Sequence, residues 1–150
     1  MLLEKLSVSS FIMGVLLVSG CASIDIDKAP ASLDAQAKAF STNASYAQVY
    51  VYRNETLGAA LSMPVTVNGK LAGSTGPNSF FKFDLPEGKH TLTSQGDESI
   101  LTIEAKKNKN YYVWQEIKIG VLSAGSKFQL VDDSKGQVGV KECSLIQSKL

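Results

Sequence analysis

The chain is poor in the residues that carry most metal and nucleophilic chemistry. Its 150 residues include one histidine, His90, and two cysteines, Cys21 and Cys143. A zinc or copper site draws several ligands from His, Cys and carboxylates at hairpin or helical spacing, and this inventory cannot supply them. With no second imidazole, no Gly-x-Ser-x-Gly elbow and no Ser–Asp pair nearby, His90 lacks a group to orient it and a nucleophile to serve. It reads as a structural residue at a strand start. Phosphate-cradling loops are missing too, since "GPNSF" and "GVLSAG" lack the glycine-rich run that ends in Lys-Ser/Thr before a helix. "DDSKGQ" offers Asp132 and Asp133 but not the alternating oxygen ligands and closing Glu of a calcium loop, so it reads as a β-turn. Charge of one sign is also lacking: 15 basic residues face 14 acidic ones, a net of +1. That balance gives no electrostatic case for nucleic acid or an anionic surface, and Lys106, Lys107 and Lys109 read as a solvated turn. The expectation is a chain with no catalytic set, no metal and no cofactor: not an enzyme.

Long apolar runs are equally scarce. The prominent one is "SSFIMGVLLV", residues 9–18. It is too short for a bilayer core of roughly 30 Å, which takes about 20 residues. Small residues follow it, and Lys5 precedes it, partly offset by Glu4; this is the layout of a cleavable signal. Val18-Ser19-Gly20-Cys21 resembles the bacterial lipobox. That resemblance implies a diacylglyceryl group on Cys21, with palmitate-type chains, and cleavage between Gly20 and Cys21. Two or more acyl chains anchor durably where one holds only marginally. Ala22 and Ser23 follow, without the Asp that marks inner-membrane retention in Gram-negative lipoproteins, so the resemblance implies the outer membrane, facing the periplasm. A lipidated Cys21 leaves Cys143 without an intramolecular partner. It is then either a small buried hydrophobe or half of an intermolecular disulfide.

Behind the signal (1–20), residues 21–45 read as a lipidated cysteine, a polar tether "SIDIDKAPAS" and a short helix. In "SLDAQAKAF", Leu33, Ala37 and Phe40 fall at i, i+4 and i+7, Ser32 can cap, and Asp34 sits in the first turn. Its thin apolar stripe suits a lid on the domain, or a helix lying on the membrane, against which the lack of a basic face argues. From Tyr46 the period changes to two. "YAQVYVYR", "MPVTV", "GKLAG", "SFFKFDL", "HTLTSQ", "SILTIEA", "YYVWQEIKI" and "SKFQLVD" alternate between turns rich in Gly, Asn and Asp. Asn68-Gly69 is a strong hairpin signal. "DSKG" and "QVGVK" read as the turn and return strand of a last hairpin. About eight strands at this spacing argue an antiparallel, all-β sandwich over 46–150.

The order "VYVYR", "PVTVNGKLAG", "SFFKFDLPEGKHTLT", "NYYVW" resembles the bacterial lipoprotein family known as domain of unknown function 2846, from Leu33 to Leu145. The resemblance implies a β-rich fold and no activity. Pro64, Asn68, Gly69, Gly73, Gly88 and His90 also resemble the turn-forming positions of PEGA-type modules, although "GSTGP" stands where those modules commonly carry Thr-Pro. This second resemblance implies a small prealbumin-like β-sandwich used for surface interaction.

Two features suggest a binding surface. Tyr50 and Tyr52 share one strand face, and Tyr112 and Trp114 share another. Brought together they form an exposed platform for a glycan, a small ligand or a protein partner, or else they belong to the core or lie under the N-terminal helix. "GVLSAG" offers Val121 and Leu122 as a contact tip, unless they tuck under a loop. The sequence therefore supports a membrane-anchored, non-catalytic lipoprotein with an envelope protein partner, or alternatively a glycan- or small-ligand-binding lipoprotein using the aromatic face.

Overall fold

The structure is a computed structural model and describes residues 26–150. The signal segment, Gly20 and Cys21 lie outside the described residues. The chain runs α1 (Ala31–Ala37), β1 (Ala47–Arg53), β2 (Met63–Val67), β3 (Lys70–Thr75), β4 (Ser79–Leu85), β5 (Gly88–Thr93), β6 (Ile100–Ala105), β7 (Asn110–Ile119), β8 (Ala124–Val131), α2 (Asp133–Lys141) and β9 (Ser144–Leu145). The protein is mostly β. The strands form two sheets, one of five strands in the order β8-β7-β1-β4-β9 and one of four in the order β3-β2-β5-β6. The Asn68-Gly69 turn closes β2 onto β3 with φ of 51° and 80°, the left-handed pair that a tight hairpin requires.

Two packed layers of side chains follow from the alternation of the strands. Val49 and Val51 of β1 point into the core between the sheets with Val65, Phe81, Leu92 and Val113. Tyr50 and Tyr52, on the opposite face of the same strand, pack with Phe80, Tyr112, Val140 and Cys143. Every residue of β1 is therefore buried. Both helices lie on this second face: Ala37 of α1 and Val140 of α2 belong to its cluster. The four-stranded sheet keeps its outer face wet, which gives β2 and β5 their alternating burial.

Four expectations need correction. The sandwich is not wholly antiparallel, because β1 pairs with β7 and β4 with β9 in parallel register. The last hairpin is absent: "DSKGQVGVK" is helix α2, and Asp132 is its N-cap, accepting from the Lys135 amide at 2.8 Å, rather than part of a β-turn. The N-cap of helix α1 is Pro30, not Ser32, with no side-chain cap; Asp34 instead accepts from the Leu145 amide at 2.7 Å and pairs with Lys38 at 2.8 Å. Part of the polar tether is built into the fold. Lys28 bridges Ile146, Ala29 donates to the Leu145 carbonyl, and Gln147 donates to that of Asp27.

The glycines of α2 explain both its position and its disguise. A Cβ on Gly136 would lie 2.2 Å from Cβ and Cγ of Tyr112, and one on Gly139 would lie 2.2 Å from Cε2 of Tyr52. The helix sits this close to the tyrosines only because both positions lack a side chain. Gly139→Ala should gain about 1 kcal/mol in helix propensity yet lose about 3 kcal/mol, the upper end of overpacking costs, against a buried ring that must shift, a net loss of about 2 kcal/mol. Thermal melts should show Gly139→Ala well below the parent, and Lys141→Ala, on the exposed side, close to it.

Candidate functional site

The four aromatic residues are brought together, but not as an exposed platform. Parallel pairing of β1 and β7 sets Tyr50 opposite Tyr112 and Tyr52 opposite Trp114. The Tyr50 and Tyr112 rings stack with centroids 5.1 Å apart. Tyr50, Tyr52 and Tyr112 are each only 1% exposed, so the reading of these three as a ligand or partner surface is corrected. The cause is the second helix, which the sequence had not shown, together with α1 and the Phe40 ring. Phe40 adopts φ 55°, a strained value for a bulky residue, and so turns its ring onto Tyr50 and Tyr112 at 5.6 and 5.9 Å. The Tyr50 hydroxyl donates to the Ala37 carbonyl at 2.9 Å, tying sheet to helix. Trp114 alone stays half-buried, with Lys135 4.9 Å over its ring. Its Nε1 has no partner among the described residues. It lines a shallow groove of about 430 Å³ with Tyr52, Asn54, Asp132, Ser134, Lys135, Val138 and Gly139.

A larger cleft, about 740 Å³, lies where α1 meets β1 and β4. Its wall includes Leu33 and Gln36 of α1, the 41–43 segment, Tyr46, Gln48, Lys82, Asp84 and Gln147. Lys82 pairs with Asp84 at 2.8 Å. Asp84 also raises the pKa of the Tyr46 phenol, by its charge first, with smaller contributions from burial and a hydrogen bond to Asp84. Gln48, buried, gives its Nε2 to the Ser41 carbonyl and to Asn110 Oδ1. The cleft thus offers one cation, one anion, amides and a phenol. Its lining comes from segments far apart in sequence that share no motif, so spacing could not reveal it.

The remaining candidates are structural. His90 is 7% exposed; one ring nitrogen meets Asn68 Nδ2 at 2.8 Å and the other the Pro86 carbonyl at 2.7 Å. It clamps the Asn68-Gly69 turn to the start of β5. Among the described residues no group of His, Cys, Asp and Glu is placed to hold a metal ion. Cys143 is buried and unpaired among the described residues, its Sγ against the carbonyls of Arg53 and Gly139. Burial and then Glu142 push its thiol up to about 12.

Arg53, at the end of β1, was not singled out by sequence reasoning, which sees only a polar strand terminus. It is fully buried. Its guanidinium donates to the carbonyls of Leu57, Gly58, Leu61 and Thr75 at 2.7–3.3 Å. Burial lowers its proton affinity, and Glu55 opposes that. The group replaces water for a loop that has no ladder of its own.

Residues 43–126 match the family described as "Protein of unknown function (DUF2846)", more than half of the chain. The chain belongs to this family. An uncharacterized protein of Haemophilus influenzae is 28% identical over 149 residues, covering 97% of this chain and 88% of that protein. No solved structure matches.

Two expected outcomes follow from these sites. Arg53→Met should cost about 2–4 kcal/mol and open the 54–62 loop to limited proteolysis, since several carbonyls lose a charged donor at once. The second concerns alkali. Burial pushes the Tyr52 phenol up to about 12, as it does the Cys143 thiol. Both folded values lie above the unfolded ones, about 10 and 8.5. Their contribution is therefore complete below pH 8.5 and falls away as pH rises toward 12. Melts from pH 7 to 11 should show this decline beginning near pH 9, and Cys143 should resist thiol reagents at pH 8 until denaturant is added.

Proposed function

We propose that the chain is an outer-membrane lipoprotein, cleaved behind Gly20, lipidated on Cys21 and facing the periplasm, whose head is a non-catalytic interaction module for another envelope protein. The observation that carries this reading is the "VSGC" motif after a short apolar run, placed directly before a folded head. Only residues 22–25 separate Cys21 from Ile26, at most about 17 Å of extended chain. By Lys28 the backbone is already paired with the C-terminal segment. Such a head works close to its bilayer. The cleft beside α1 is the face proposed for the partner, its polar lining suiting an extended segment of another protein. The PEGA-like resemblance of the β2–β5 region fits an interaction role. A glycan-stacking reading loses its platform with the burial of Tyr50, Tyr52 and Tyr112.

Cys21→Ser tests the anchor. Mass spectrometry of the parent's mature N-terminus should show diacylglyceryl and acyl groups on Cys21. The variant should stay uncut or leave the membrane fraction. A processed, membrane-bound Cys21→Ser chain would overturn the reading. Crosslinking of the lipidated parent, with Lys82→Ala and Asp84→Ala as cleft variants, tests the partner face: a reproducible envelope partner lost in the variants is expected.

A further inference from the structure

The β7–β8 hairpin outruns its sheet. The parallel register of β1 with β7 ends at Tyr52 opposite Trp114, one residue before β1 itself ends, whereas β7 and β8 stay paired to Ile119 opposite Ala124. Residues 116–119 therefore run about 13 Å past the end of β1; Ile117 is still covered by the 54–62 loop, and the ladder stands free from Lys118 onward. The turn at their end is closed by the Gly120 amide donating to the Ser123 carbonyl at 2.9 Å. No ionisable side chain occurs from Ile119 to Gly125. Val121 and Leu122 stand fully exposed, and Ile119 is 59% exposed. Next to this ladder the Arg53-held loop presents Leu57, 55% exposed, with Gly58 against Ile117. The tip is not tucked under a loop.

The second observation is where Ile26 packs. Ile26 presses on Gly76, where a Cβ would fall 2.4 Å from Ile26 Cδ1. Gly76 lies in the turn before β4, and β4 opens with Ser79 opposite Arg53. Ile26 thus contacts the same end of the sandwich from which the hairpin projects. This step rests on the proposed lipidation of Cys21. With at most about 17 Å of chain between lipid and Ile26, the end bearing the tip is held at the bilayer surface.

We propose that Val121 and Leu122, supported by Ile119 and Leu57, form a second membrane contact that seats in the headgroup–acyl boundary of the bilayer holding Cys21. The tip is convex, uncharged and internally hydrogen-bonded. A lipid surface accepts such a wedge without a matching pocket, whereas a protein partner must supply one. With no basic residues in the tip, the contact is weak alone. The tether makes it effective by raising the local concentration of lipid around it. The consequence is a fixed orientation of the head, with its lateral cleft kept clear of the membrane.

The test uses the full-length chain, processed in cells and reconstituted into phosphatidylethanolamine–phosphatidylglycerol vesicles with brominated acyl chains. Leu122→Trp adds a reporter at the tip, and the parent's Trp114 serves as the internal control. The added emission should be blue-shifted and quenched several-fold more than that of Trp114, with the melting temperature unchanged. Adding Val121→Asp should cut this quenching at least about twofold. Water-like, unquenched emission from a chain whose Cys21 carries the lipid mass overturns the tip contact and leaves the anchor standing. Quenching by added vesicles without lipid mass on Cys21 does the reverse. Unquenched emission with a dimer that Val121→Asp dissolves overturns the proposal in favour of a second copy of the chain as the occupant.

Discussion

Strand β1 has no wet face, and the architecture follows from that constraint. A sheet with one buried face alternates apolar and polar residues, and the outer sheet here does so. The central strand of the five-stranded sheet instead carries valines on one side and tyrosines on the other, so each side needs its own cover. The four-stranded sheet supplies one. The other comes from two short helices, neither of which has enough apolar surface to stand alone. They are held by fit: α1 through the Phe40 ring and the Tyr50 hydroxyl, α2 through glycines that let it settle onto the tyrosine rings.

Legibility of the fold in the sequence tracked how local the cause was. Asn68-Gly69 announced its hairpin because the turn conformation is a property of those two residues. Helix α1 was readable from a four-residue apolar spacing, although its start was not. Helix α2 was unreadable because Gly136 and Gly139 are poor helix formers whose purpose lies in another strand; a glycine without its neighbours signals a turn. Parallel pairing of β1 with β7 joins residues some sixty positions apart, as in Gln48 with Asn110, and leaves no local mark.

The candidate site was partly legible for the same reason. That Tyr50 and Tyr52 share one face, and Tyr112 and Trp114 another, was legible from strand period, but their pairing across β1 and β7 was not, and their exposure depended on a helix not yet seen. The apolar tip was visible as "GVLSAG", an uncharged stretch between strands, and the structure settles that Val121 and Leu122 face solvent. Arg53 had no signal, since a strand-end arginine is ordinarily solvated, and only the fold of the 54–62 loop around it makes it interior. The polar cleft beside α1 is assembled from distant segments and belongs wholly to the tertiary structure.

The pairing of residues 27–29 with 145–147 has a mechanical consequence. If the head is gripped while its N-terminal end is fixed, the load enters through this short edge ladder and not through the sheet. Few backbone bonds hold that edge, and such segments open at a small fraction of the global stability. Under tension residues 26–30 would peel away first and lengthen the leash by about 17 Å, while both cores stay intact. In the proposed anchored state the edge ladder is a compliant coupling between bilayer and head, one that yields before the domain does and re-forms when the pull is released.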